Sequence, residues 1–385
     1  MHAKLSPSSA ARWLTCTASV LLESGVEDKP SEYAAEGTYA HALCELEGKY
    51  AVGQISKRSL TAGKKKIYDE KYHSAEAEEA AAGYAEYIKE ETIRCENAAG
   101  EAPVVMFEKR LNLEQWAKGS FGTADCIIIS GDTVHVIDFK YGKGVEVLAE
   151  GNPQMMLYAA GAWALFSPLY DIETVRMTII QPRLNLVSEA EISAADLESW
   201  LEGTVKPKAQ EALSGEGVFA PGDVACRFCK AKDICSARAE QLVALFEENR
   251  DTKVLSNDRL GEILEMSKDM KNWLEDLKAK ATSLLMGGEM VPGWKLVEAK
   301  TNRQITDEAA AAAALEKAGL SQEQIYTRRL AGITALEKLL GKKKVSEVLA
   351  DVIVKPKGGP ALAPVTDKRP EIHPEEAILN AFEEE

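Results

Sequence analysis

Three short segments rich in β-branched residues follow one another with little between them: VVMFEKRLNL (104 to 113), GTADCIIIS (122 to 130) and TVHVIDFKY (133 to 141). Branched side chains pack well on a pleated surface, and Gly131-Asp132 supplies the tight turn that brings the second run back beside the third. A three-strand meander is predicted. Helical spacing follows over PQMMLYAAGAWALF (153 to 166), then a strand at TVRMTIIQPR and a helix from about 194 to 213. Strands set between helices in this order describe an α/β fold, a mixed central sheet flanked by helices.

Upstream, residues 8 to 24 read as one helix capped by Ser8 or Ser9, with Ala11, Leu14 and Ala18 at helical spacing and Cys16 upon it. A second helix is predicted after Ser31, through EYAAEGTYAHALCELEGKYA, and a third, rich in alanine and glutamate, over 74 to 98. The connection between these two is read as a basic loop. After Cys235 the chain turns mainly helical. Leu260, Ile263, Leu264, Met270, Trp273, Leu274, Leu277, Leu284 and Leu285 form a stripe over 256 to 286 that should dock on the core or on another subunit. A β-like segment (VPGWKLVEAK), helices near 307 to 318 and 332 to 350, and a flexible tail rich in Pro and charge from Lys355 complete the chain.

At 385 residues and 45% hydrophobic content the chain can bury a real core. No apolar run approaches the roughly 20 residues needed to span a bilayer, and MHAKLSPSSAARW lacks a signal-peptide layout, so no membrane partner and a cytoplasmic location are expected. In a reducing compartment seven cysteines are read as metal ligands where closely spaced and as small buried hydrophobes elsewhere. A net charge of -15 argues against a protein that coats nucleic acid indiscriminately. It leaves room for a local basic stripe, for which Lys57-Arg58, Lys64-Lys65-Lys66 and Lys342-Lys343-Lys344 are candidates; each is otherwise a solvated face.

Phosphodiester hydrolysis by metal ions needs hard oxygen ligands held close together and a group that orients the attacking water. Asp125 lies on the second strand of the meander. Asp138 and Lys140 lie two apart on the third, so both point to one face, and the turn sets the strands side by side. A carboxylate pair beside an ammonium group follows from register. Gln154 and Tyr158 stand at i and i+4 on one helical face, and His41 follows Gly37 by four residues. Glu108 is either a further active-site carboxylate or a surface residue; Asp132, His135 and Glu146 read as solvent-facing.

These motifs together resemble the RecB-like branch of the PD-(D/E)xK nuclease superfamily. Gly37 to His41 matches its helical histidine, Gly122 to Asp125 its G-x-x-D strand, Asp138-Phe139-Lys140 its D/E-x-K strand and Gln154 to Tyr158 its Q-x-x-x-Y helix, all in order. The resemblance implies a restriction-endonuclease-like core in which His41, Asp125, Asp138 and the Phe139 carbonyl hold one or two Mg2+ or Mn2+ ions. Lys140 would position or help deprotonate the water, and Gln154 and Tyr158 would contact DNA. The third-strand acid is Asp where Glu is commoner; the family uses both.

Cys226-Arg-Phe-Cys229 and then Cys235 form C-x2-C-x5-C, a spacing that lets three thiolates meet at one metal. Members of the same nuclease branch, among them AddAB-type helicase-nucleases and CRISPR-associated RecB-like exonucleases, join one N-terminal and three C-terminal cysteines around a [4Fe-4S] cluster. By that resemblance Cys16 is the fourth ligand; structural Zn2+ in the same thiolates is the alternative. Cys44, Cys95 and Cys126 are read as free. The implied organisation is a nuclease domain over 1–240 closed by the cysteines, a mainly helical region with a short β segment over 241–352, and a tail over 353–385.

The whole chain is also similar to a phage- and prophage-encoded family of unknown function, with PGWKLVEAKTNR and the KRPEI tail among its recurring features. This implies a DNA exonuclease in phage recombination, replication or repair, with DNA as substrate. Candidate partners are a phage single-strand-binding protein or recombinase, and further copies of the chain as a homo-oligomer. A structure-specific endonuclease and a catalytically silent DNA-binding or assembly module are the alternative readings. No phosphate-loop motif of a helicase is present.

Overall fold

The fold was analysed in a computed structural model that describes residues 3–26, 32–247, 256–295 and 341–349, with Lys317, Ile333 and Glu337 as isolated positions. The chain divides into two compact units, Met1–Ser283 and Leu284–Glu385. In the second, the described residues include a helix at Lys342–Val348 that carries the lysine triplet and buries Val345. The readings of a strand through residue 300, of the helix at 307–318 and of the tail from 353 fall wholly or largely outside the described residues.

The first unit is built on five strands: β1 (Val104–Asn112), β2 (Phe121–Ser130), β3 (Thr133–Phe139), β4 (Thr174–Gln181) and β5 (Leu186–Ser193). They lie in that spatial order, antiparallel throughout except for the parallel pair β3/β4. The sheet is mixed and flanked by helices, as expected. One layer holds α1 (Ala10–Thr15) and α6 (Pro153–Phe166), the second being the crossover between the parallel strands; Trp13, Met155, Leu157, Ile127 and Val136 meet in its core. The opposite layer holds α3 (Glu32–Ala51) and α5 (Ala75–Ala99), with Leu43, Tyr84, Ile88, Ile128 and Phe139 packed together. Central strands covered on both faces must be apolar almost throughout, which is why CIIIS and VIDF carry so little polar alternation.

The structure corrects four sequence readings. The first helix is broken: a 3-10 turn at Pro7–Ser9 leads into α1, which ends at Cys16, and α2 (Ser19–Ser24) restarts after Thr17. The break lets another segment dock closely, since Thr17 Oγ1 accepts the Val218 N–H at 2.8 Å and a Cβ on Gly217 would lie 2.6 Å from the Ala18 nitrogen. The basic connection is a helix, α4 (Lys57–Ile67), whose N-cap Ser56 accepts the Ser59 N–H and whose Gly63 meets Leu46 of α3. Strand β5, a half-buried alternating edge reached through Asn185 at φ 50°, went unpredicted.

His135 is the fourth. It is buried because β3 is covered on both faces, and its Nε2 lies 2.8 Å from Thr178 Oγ1. Glu91 is 3.6 Å from Nδ1, but that carboxylate is held by Arg94 and Arg176. Desolvation therefore dominates and lowers the pKa of His135 to about 4.

Beyond the sheet come α7 (Ala194–Trp200), α8 (Lys206–Ser214), α9 (Asp223–Cys226), α10 (Ser236–Glu247) and α11 (Asn257–Met286). The stripe on α11 is only partly covered among the described residues, with Leu260, Leu264 and Leu274 exposed. Instead, the buried guanidinium of Arg238 on α10 holds it through Asp269 at 2.6 Å and Asp276 at 3.0 Å.

His135 yields a pH prediction. A histidine kept neutral in the fold takes up a proton more readily when unfolded, so its contribution to stability is complete above pH 6.5 and is lost as pH falls toward 4. Over that window the loss is about 3 kcal/mol. Denaturant melts of wild type and His135→Gln across this range should show a correspondingly shallower acid loss in the variant; parallel curves would contradict the assignment.

Candidate active site and cysteine centre

The site forms where the β-ladder fails. Pairing of β2 with β3 stops at Cys126 and Ile137, and the next backbone donor, Phe139 N–H, is met by the Asp125 carboxylate at 2.7 Å. On the other side β1 kinks at Glu108, which adopts φ 49° and drops out of the ladder between the Phe107–Cys126 and Lys109–Ala124 pairs. The kink also shifts the faces: Phe107 belongs to the α3/α5 core and Leu111 to the α6 core, although strict alternation would put them on one side. A left-handed non-glycine residue costs about 1–3 kcal/mol. Here it sets Glu108 opposite Asp125.

His41, on α3, lies with its Nδ1 3.2 Å from Asp125 Oδ1, its ring packed edge-on against Phe139. His41, Glu108 and Asp125 each offer one donor atom within 4.8 Å of the others. Two carboxylate oxygens and an imidazole nitrogen suit a hard or borderline divalent cation. Desolvation and then the neighbouring Asp125 push Glu108 up to about 7, against the opposing pull of His41 and Lys49. Burial works against the charge on His41, but Asp125 and Asp138 outweigh it and raise its pKa.

Asp138 on β3 and Lys140 just past it share one face, as their spacing of two predicts, and both meet Gln154 of α6. Asp138 is fully buried, with Oδ2 2.9 Å from the Lys140 ammonium, and does not join the three-residue donor group. Desolvation raises the Asp138 pKa although Lys140 opposes it; burial disfavours the Lys140 charge, but Asp138 more than offsets this and raises it.

The α6 N-terminus completes the arrangement. Asn152 caps it by accepting the Gln154 and Met155 N–H groups, with Pro153 in the first turn. That fixes Gln154, whose Oε1 accepts from Lys140 at 3.2 Å and whose Nε2 donates to Asp138 Oδ1 at 3.2 Å and Tyr158 Oη at 3.3 Å. Tyr158 is seated on Gly122, where a Cβ would lie 2.6 Å from its ring. The glycine of G-x-x-D therefore has a packing cause; Gly37, with nothing within 4 Å of a Cβ, has none visible. Phe139 contributes its backbone N–H and its ring among the described contacts.

The four cysteines of the predicted centre share one cavity, without three of their sulfurs lying within 4.8 Å of one another. Cys16, Cys226, Cys229 and Cys235 line one small apolar cavity with Leu22, Phe219 and Ala225. Gly222 N–H points at Cys226 Sγ, 3.3 Å away, and Ser19 Oγ, buried without a hydrogen-bond partner, lines the same space. Burial pushes the Cys229 thiol up to about 11 and raises Cys226 too, so neither becomes a thiolate readily without a metal. Arg12 and Glu23 tie the two halves: Arg12 donates to the Phe228 carbonyl at 3.2 Å and pairs with Glu23, which accepts the Lys230 N–H at 2.7 Å. Cys44 and Cys126 are buried and Cys95 half-buried, all free.

A family model described as "Protein of unknown function (DUF2800)" matches residues 2–370. The chain belongs to this family. The description names no activity, so the chemistry must be argued from the site. Among solved structures, one described as "Crystal structure of SSO0001" is similar at 19% identity, over 51% of this chain and 85% of its own, with a TM-score of 0.24. A likeness at that level carries no inference. Among the described residues no helix is long and apolar enough to cross a membrane.

Glu108 is the residue that sequence reading left undecided, and it gives the test of the donor group. Mn2+ affinity measured by calorimetry should fall at least about ten-fold in Glu108→Gln and in His41→Ala. Affinity unchanged in both would place the cation elsewhere.

Proposed function

We propose that this chain is a metal-dependent deoxyribonuclease, an exonuclease whose sheet is the core of a PD-(D/E)xK enzyme. The observation that carries the reading is the convergence of His41, Glu108 and Asp125 beside a buried Asp138–Lys140 pair governed by Gln154. Mg2+ or Mn2+ held by His41, Glu108 and Asp125 would polarise the scissile phosphate and neutralise its developing charge.

The chain's own groups do the rest. Lys140, kept protonated by Asp138, is a fixed cation that orients the attacking water or a phosphate oxygen. Asp138 acts on Lys140 and Gln154, and so positions the reacting groups. Gln154 and Tyr158 stand on the substrate side of this pair, suited to hydrogen-bond a phosphate next to the one being cut. Glu108, exposed at the edge strand, marks the side from which substrate enters.

The cysteine cavity fits a thiolate-bound centre, read as [4Fe-4S] with Zn2+ as the alternative. Its role is to staple the first helices to the chain's return at Cys226–Cys235, closing a long loop.

Two measurements test these readings. End-labelled single- and double-stranded DNA with Mg2+ or Mn2+ should be degraded by wild type and at least about 10²-fold more slowly by Asp125→Asn and by Lys140→Gln. Equal rates in wild type and both variants would remove the enzyme reading, and cleavage of closed circles would shift it to an endonuclease. Protein purified without oxygen should be brown, with visible charge-transfer absorption that Cys16→Ser abolishes; colourless protein with stoichiometric zinc would select the alternative.

A further inference from the structure

Beyond Glu108 the outer edge of β1 opens into a groove of about 540 Å³, lined by Lys109, Arg110, Asn112, Gln115, Gly161 and Leu165 among others. Its opposite wall is α6. Gln154, Tyr158, Gly161 and Leu165 recur at i, i+4, i+7 and i+11, so the groove prolongs the helix stripe that begins at the Asp138–Lys140 pair. Gly161 lets the walls approach, since a Cβ there would lie 2.8 Å from Leu111 Cβ. Along an extended strand Asn112 is about 13 Å from Glu108, with Lys109 and Arg110 in the first half of that path.

The charges in this groove are unspent. Among the described residues neither Lys109 nor Arg110 has a carboxylate partner. One acid, Glu114, also lines it and keeps its negative charge while accepting the Gly119 N–H at 2.7 Å, so the groove sets two cations against one carboxylate. Arg110 is held in place by lying 3.9 Å over the Phe121 ring, which fixes an exposed guanidinium without neutralising it. An excess of positive charge with two amide side chains, beside the His41–Glu108–Asp125 donor group and in a chain of charge -15, suits a polyanion.

We propose that this groove carries the nucleic-acid strand adjoining the scissile phosphate, with Lys109 and Arg110 neutralising successive phosphates and Asn112 and Gln115 bonding phosphate or sugar oxygens. The proposal rests on the nuclease reading of the neighbouring cluster. Contacts of this kind are blind to sequence, and their signature is salt dependence.

The test is anisotropy of labelled single- and double-stranded oligonucleotides with EDTA present, across a salt series. Lys109→Gln/Arg110→Gln should weaken binding about ten-fold. The slope of log affinity against log salt should fall by about 1.4 if a single strand occupies the groove or about 1.8 if a duplex does. Gln115→Lys should tighten binding, a gain that a folding defect cannot produce. Lys65→Gln/Lys66→Gln on the exposed basic face of α4 is the charge-matched control and should bind as wild type does.

A double variant with wild-type affinity and slope would overturn the proposal, as would an equal loss in the α4 control or binding of polyglutamate in preference to DNA. Cleavage assays separate the two readings. Wild type that binds as described but never cuts removes the nuclease and leaves the groove; a groove variant that cuts with unchanged KM removes the groove alone.

Discussion

Asp125 is the one side chain on which three elements depend at once. One carboxylate oxygen meets His41 of α3, and the other accepts the Phe139 N–H of β3. The second contact stands in for a ladder bond that β2 no longer makes past Cys126. A buried N–H left unpaired costs about 1–3 kcal/mol, so the ladder can open here only because a side chain takes the backbone's place. The opening is what leaves His41, Glu108 and Asp125 facing one another between strands that would otherwise be zipped. Stability and chemistry thus share one residue, and an asparagine there separates them better than an alanine, because it keeps an acceptor for Phe139.

Much of this could be read before any coordinates. Asp138 and Lys140 were placed by a period of two, Gln154 and Tyr158 by a period of four, and both periods hold. Glu108 could not be decided the same way. Its position opposite Asp125 depends on a left-handed backbone at a non-glycine residue, which no pattern of side chains announces. His135, read as solvent-facing, failed for a different reason: β3 is covered on both faces. The helix at Lys57–Ile67 was missed because lysine dominates it and Leu60 is its one buried residue, so its charge drew the reading of a basic loop. Strand β5 was missed because an edge strand may be half polar, and LVSEAEIS is.

The grouping of the four cysteines at one cavity was legible in the sequence, but not the means by which it is reached. Spacing alone brought three thiols together, whereas Cys16 reaches them only because the first helix stops at it. Thr17 turns its hydroxyl to the Val218 N–H, and Gly217 allows the two backbones to touch. A continuous helix through 8 to 24 would have carried Cys16 on a straight cylinder with no room for that segment. The correction to the secondary structure is therefore what explains the cluster geometry, and the polar frame of Arg12 and Glu23 holds the second loop against the same short helices.

An acidic total and an anionic substrate are compatible if positive charge is confined to where the substrate runs. Most lysines and arginines that pack near the core are already answered: Lys64 by Glu47 and Glu78, Arg176 by Glu91 and Glu189, Arg183 by Glu36 and Glu76, Arg238 by Asp269 and Asp276. Such pairs add little field at a distance, because each cation is screened by its partner. Lys109 and Arg110 are different: among the described residues neither has a carboxylate ion-pair partner, Arg110 is oriented over Phe121, and both lie within two residues of Glu108. A field that is weakly repulsive over most of the surface and attractive in one groove would admit a strand by its end or edge and resist side-on coating, as the proposed nuclease reading requires.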